Sequence, residues 1–164
     1  MELEIPFETI EGYQYLVSFR EFPSNQINYN IPLIDVSITL MSDTIETNSL
    51  KTLNKFIQIV LDYLDKNDVI IYYYCDTAPI KIRETRKQKF SYQEYRFKLF
   101  LSMFTKQKSD TFYIQNIIIN DKINGNHFTS LISRTTNKEK VEIVKSDLEK
   151  FNKLIEDREN RPYL

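Results

Sequence analysis

One run narrows the choice of fold more than any other part of this chain. Val69-Ile70-Ile71-Tyr72-Tyr73-Tyr74-Cys75 is an uncharged stretch in a sequence that is 27% charged. Its β-branched and aromatic side chains suit a pleated surface. The run is too short for a buried helix. Polar residues bound it, Lys66-Asn67-Asp68 before and Asp76-Thr77-Ala78-Pro79 after. It therefore predicts an inner strand covered on both faces. Pro79 disfavours a helical Ala78, so an extended linker follows.

Alternation supplies the other strands. Leu3, Ile5 and Phe7 alternate with Glu2, Glu4 and Glu8, and Tyr13, Tyr15, Val17 and Phe19 with Gln14, Ser18 and Arg20, the two runs lying on either side of Glu11-Gly12. That pattern predicts a hairpin. Residues 22–32 read as a loop, and Ile34, Val36, Ile38 and Leu40 as a third strand. Thr111–Asn120 and Asn126–Arg134 form a second pair, with Ile114 and Ile118 on one face and Ile117 and Ile119 on the other.

Helical spacing appears three times. Leu50, Leu53, Ile57, Val60 and Leu64 make a stripe from about residue 48. Phe90, Phe97, Leu101 and Phe104 make another, in a helix whose signals begin near Ile82. Ser146 and Glu149 form a capping box that would open a last helix carrying Leu148, Phe151, Leu154 and Ile155. Thr135–Glu139 reads as polar and exposed. The predicted order is β-β-β-α-β-α-β-β-α. It describes a single α+β domain over 1–164, with a mostly antiparallel, twisted sheet, helices packed on it, and a frayed tail at 159–164. A chain of 164 residues is long enough for one proper core and short for two.

Charge is unevenly spread. Residues 81–108 hold nine bases and two acids, residues 1–80 twelve acids and four bases, and the remainder nine of each, so the chain nets −1. Lys81, Arg83, Arg86, Lys87 and Lys89 cluster near the start of the second helix. Free N–H groups there also favour anions, so these residues are candidates for binding phosphates of a nucleotide or nucleic acid. Against this, charge runs on helices are commonly solvated faces or faces docked on an acidic surface. Basic residues at that end also oppose the helix dipole.

Several of these stretches resemble a family of small bacterial proteins, mostly from Bacteroidetes, catalogued as the domain of unknown function 6169. The likeness rests on Tyr74-Cys75-Asp76 ending an aromatic run, Arg86 ten residues past Asp76, and then Phe90. Tyr13-Gln14-Tyr15-Leu16-Val17-Ser18-Phe19 and Phe128-Thr129-Ser130-Leu131-Ile132 are similar to that family's strands. Where the family has Asp-Gly after the Cys-Asp, this chain has Pro79-Ile80. The resemblance implies a shared fold unit and names no reaction.

Residue chemistry offers few other sites. Cys75 is the sole cysteine and His127 the sole histidine, so no intrachain disulfide and no two-His metal site can form. Cys75 reads as a small apolar residue, or as a thiol activated by Arg83 or Arg86. Asp76 reads as a turn cap or an ion-pair partner. The alternative is a catalytic carboxylate beside Arg86, with Glu84 as a second acid. His127 reads as a surface residue or as a base. Tyr72–Tyr74 read as core aromatics or as stacking platforms for bases. With glycine only at 12 and 125, the phosphate-binding glycine motifs cannot exist.

The resulting expectation is a bacterial binding module without catalytic activity or cofactor. Its partner would be a protein, or a second copy of the chain, contacted through the helices. Nucleic-acid or nucleotide binding through 81–108 is the alternative, and an enzyme acting on a phosphorylated substrate near Asp76 and Arg86 is another. Met1–Ile5 is unlike a signal peptide and no run is long enough to span a bilayer, so a cytoplasmic location without membrane contact is expected.

Overall fold

The computed structural model describes residues 2–9, 12–22, 29–41, 50–75, 92–107, 109–120 and 126–159. Its strands are β1 (Glu2–Glu8), β2 (Gln14–Glu21), β3 (Leu33–Leu40), β4 (Ile70–Cys75), β5 (Phe112–Ile119) and β6 (His127–Arg134). Its helices are α1 (Leu50–Lys66), α2 (Tyr92–Gln107) and α3 (Lys138–Glu159), the last entered through a 3-10 turn at Thr135–Asn137. The order of elements is the one predicted. The fold is α+β, and the sheet runs β1-β2-β3-β4-β6-β5.

Pairing is antiparallel except between β3 and β4, which run parallel. A hairpin cannot join parallel neighbours, and here the crossover contains α1. The β1–β2 turn is fixed locally. Gly12 takes φ 91 and donates its N–H to the Thr9 carbonyl at 2.9 Å. An L side chain is disfavoured at that angle.

Period-two alternation divides the sheet into two faces. On the first, Val17 and Phe19 of β2, Val36 of β3, Ile71 and Tyr73 of β4, and Phe128 and Ile132 of β6 meet α1 and α2. Phe19 stacks on Tyr63 of α1 with centroids 4.0 Å apart, and Tyr73 lies 4.5 Å from Phe100 of α2. On the second face, Ile70, Ile117 and Leu131 meet Val141 and Val144 of α3. Tyr29 and Ile31 also pack there, and the Tyr29 hydroxyl donates to Asp147 Oδ2 at 2.9 Å. Burial first, and then the Asp147 carboxylate, push the Tyr29 phenol up to about 12.

Three expectations need correction. The buried stripe of α2 is Phe97-Phe100-Phe104. Phe100 is fully buried, whereas Leu101 is only half-buried. The last helix begins at Lys138, not at Ser146. Val141, Val144 and Leu148 already lie on the sheet, and that apolar contact carries the helix through the capping-box sequence. Residues 135–139 are not uniformly exposed either. Asn137 is buried and donates from Nδ2 to Asp68 Oδ1 at 2.7 Å.

Candidate functional site

The covering of β4 is complete at one end and partial at the other. Ile70 and Ile71 are fully buried, as an inner strand requires, while Tyr72 and Tyr74 are only half-buried. The reason lies in the sheet. The β3–β4 ladder runs from Leu33 opposite Ile70 to Val36 opposite Tyr73. Past that point β3 stays paired with β2 as far as Leu40, and β4 stays with β6 as far as Cys75. The two parallel strands part at their carboxyl ends. In sheets of parallel strands that is where ligands commonly bind.

An open cavity of about 440 Å³ fills the fork, lined by Phe22, Asp35, Val36, Ser37, Ile38, Tyr72, Tyr73 and Tyr74. Known small-ligand sites span roughly 300–1,000 Å³. Asp35, Ser37, Tyr72 and Tyr74 belong to the second face of the sheet. Asp35 stands opposite Tyr72 in the ladder on one side and opposite Arg20 on the other. Phe22 meets Tyr72 edge-to-face, with centroids 5.1 Å apart at 88°.

The polar groups differ in how well they are partnered. The Tyr74 hydroxyl and His127 Nδ1 are 2.6 Å apart and share a proton in one direction or the other. The Tyr72 hydroxyl accepts a long hydrogen bond from Thr129 Oγ1 at 3.4 Å. Among the described residues, no hydrogen bond reaches the Asp35 carboxylate. Burial pushes its pKa above the ordinary carboxylate value, and the Arg20 charge only partly opposes this. Arg20 is itself turned to the outer strand, where its Nε donates to Glu2 Oε1 at 2.8 Å.

Of the residues singled out from sequence, Cys75 closes β4 opposite Phe128. Asp76, Lys81, Arg83, Arg86, Lys87 and Lys89 lie outside the described residues, as do Glu84 and Phe90. Further along the basic segment, Lys98 pairs with Glu94 at 3.5 Å, one turn apart on α2. The three tyrosines separate by face. Tyr73 belongs to the first core, while Tyr72 and Tyr74 belong to the second face. His127 is half-buried against Tyr74 rather than a surface residue.

Asp35, Phe22 and Ser37 were not anticipated. The available signal was a lone acid between Ile34 and Val36. Nothing local tells that β3 has a neighbour on each side, or that one neighbour leaves it part-way. Among the described residues, no group of three or more His, Cys, Asp or Glu could hold a metal ion. None of their helices is long and apolar enough to cross a membrane.

No family model matches this chain. Neither does any curated protein or solved structure.

Proposed function

We propose that this protein is a binding module rather than an enzyme, and that the fork between β3 and β4 receives a basic group. The ligand would be a lysine ammonium or an arginine guanidinium presented by a protein partner. One observation carries the reading: a half-buried carboxylate, Asp35, lines a cavity that also has aromatic walls and receives no hydrogen bond from the described residues. Aromatic faces attract cations, and a desolvated carboxylate binds an N–H cation more strongly than an exposed one does. Phe22 and Tyr72 supply the rings, and Ser37 lies on the same face for a further hydrogen bond.

The test titrates the full chain with short peptides carrying one lysine or arginine, and with the same peptides carrying norleucine there. Calorimetry and amide shifts in β3 and β4 report binding. The expected result is binding of the basic peptides only, weakened about tenfold or more by Asp35→Asn, a factor worth about 1.4 kcal/mol. Affinity should also fall as pH drops through the raised Asp35 pKa, because the neutral acid no longer attracts a cation. Equal binding of the norleucine peptides, or indifference to Asp35→Asn in a variant that melts normally, would end this reading.

A further inference from the structure

The two ends of the sheet have opposite chemistry. β1 and β5 are its outer strands. Each presents a row of backbone N–H and C=O groups that no described strand pairs. β1 carries Glu2, Glu4, Glu8 and Pro6 within its seven residues. Charge and proline are common means of making a sheet edge unattractive to a further strand. β5 reads Phe-Tyr-Ile-Gln-Asn-Ile-Ile-Ile over eight residues, with no charge and no proline. Ile118, the last but one residue of that strand, leaves a large apolar side chain 52% exposed at the sheet's edge.

We propose that β5 pairs antiparallel with β5 of a second copy, so that two sheets become one. The choice of a second copy rests on the chemistry of the edges. A two-fold contact sets a strand against itself, so every charge on it meets a like charge nearby. β5 has none, whereas β1 would bring glutamates together. Joining β5 to β1 head-to-tail would build an open filament, and it would have to form on the edge that carries Pro6 and the acids.

The pattern of side chains also selects a register. A two-fold axis perpendicular to the sheet keeps each face on its own side, so opposed residues must share parity. With the axis at Asn116, Ile118 of one copy lies opposite Ile114 of the other, and the reverse. Ile114 is a partly buried member of the first core. Both exposed isoleucines are thereby covered by apolar side chains, and Asn116 meets its own amide at the centre. Cross-strand aliphatic pairs of this kind stabilise antiparallel sheets.

The experiment measures the mass of the full chain by sedimentation over a wide concentration range. The expected mass is twice 19.7 kDa. Ile118→Lys should raise the dimer dissociation constant at least tenfold while leaving the circular dichroism spectrum unchanged. Glu4→Lys in β1 should not alter it. In a Cys75→Ser background, Asn116→Cys should cross-link two chains on mild oxidation. A monomer at the highest concentration reached overturns the proposal, and so does a dimer that ignores Ile118→Lys or is broken by Glu4→Lys. A folded Asn116→Cys dimer that does not cross-link overturns the register.

Discussion

Asp35 sits between Ile34 and Val36, and alternation alone would send it to solvent. Instead it is flanked by strands on both sides, and burial raises its pKa, with Arg20 working the other way. In the folded chain the ionised form is penalised relative to the unfolded chain, so the cost of Asp35 is present above its folded pKa. That cost is relieved as pH falls through this value. Asp35→Asn is therefore expected to melt higher than the wild type at neutral pH. The gain should vanish at acid pH once the wild-type carboxyl is protonated, and parallel thermal melts across that range would show it. An unchanged melting temperature at neutral pH would mean that the carboxylate is fully solvated. Sequence reading found the residues that alternate and missed this one, because the meaning of a polar residue on a strand depends on what lies beyond its neighbours. His127 makes the same point: only the arrival of Tyr74 from β4, 2.6 Å away, changes a turn-side histidine into a partnered one.

At the level of elements, α1 shows how a helix end is finished by a residue far along the chain. The Tyr63 carbonyl accepts from Asn67, but those of Leu64 and Asp65 lie past the reach of the helix's own N–H groups. Arg134, at the end of β6, donates from Nε to the Leu64 carbonyl at 2.9 Å and from Nη2 to the Asp65 carbonyl at 3.2 Å. Its guanidinium also lies 3.9 Å from Asp68, which Asn137 holds in turn. A cation there also complements the helix dipole. Arg134→Met keeps the apolar stem and removes the donors, and is expected to lower stability by about 1.5–3 kcal/mol in urea unfolding. A loss close to zero would show that water replaces the guanidinium. Elements with strong period were legible: Ile57, Val60 and Leu64 of the expected α1 stripe are buried, joined by Phe56 and Ile59, and Ile114 and Ile118 share a face. The start of α3 was not, because Ser146 and Glu149 imitate an N-terminus inside a helix that tertiary contact holds from Lys138 onward.

In the whole molecule, one sheet separates two apolar layers, and β4 and β6 contribute to both. Damage to one layer should therefore be felt in the other. Phe100 is fully buried between Phe56, Tyr73 and Phe104. Phe100→Ala is expected to cost about 3–5 kcal/mol. The loss should appear equally in tyrosine fluorescence and in far-ultraviolet dichroism, as a single cooperative transition requires. Two separated transitions would show that the layers melt independently. Element order and fold class were legible because each strand and helix carries its own period. The position of the cavity was not, because it arises where a parallel ladder stops, and no local pattern encodes that.

The parting of β3 and β4 also bears on how the chain closes on itself. β1, β2 and β3 are neighbours in sequence as well as in the sheet, and so are β5 and β6. Short loops can close both groups at small entropic cost. β4 pairs with β3 only across a crossover that holds α1, and with β6 only beyond α2 and β5. Each of its ladders joins it to a strand reached through a long connection, so it carries the costliest loop closures in the sheet. That cost is offset where Ile70 and Ile71 are wholly buried, and less so toward Tyr74. The cavity thus lies along the least secured part of the strand that joins two locally formed halves, where an occupant has the most order to add.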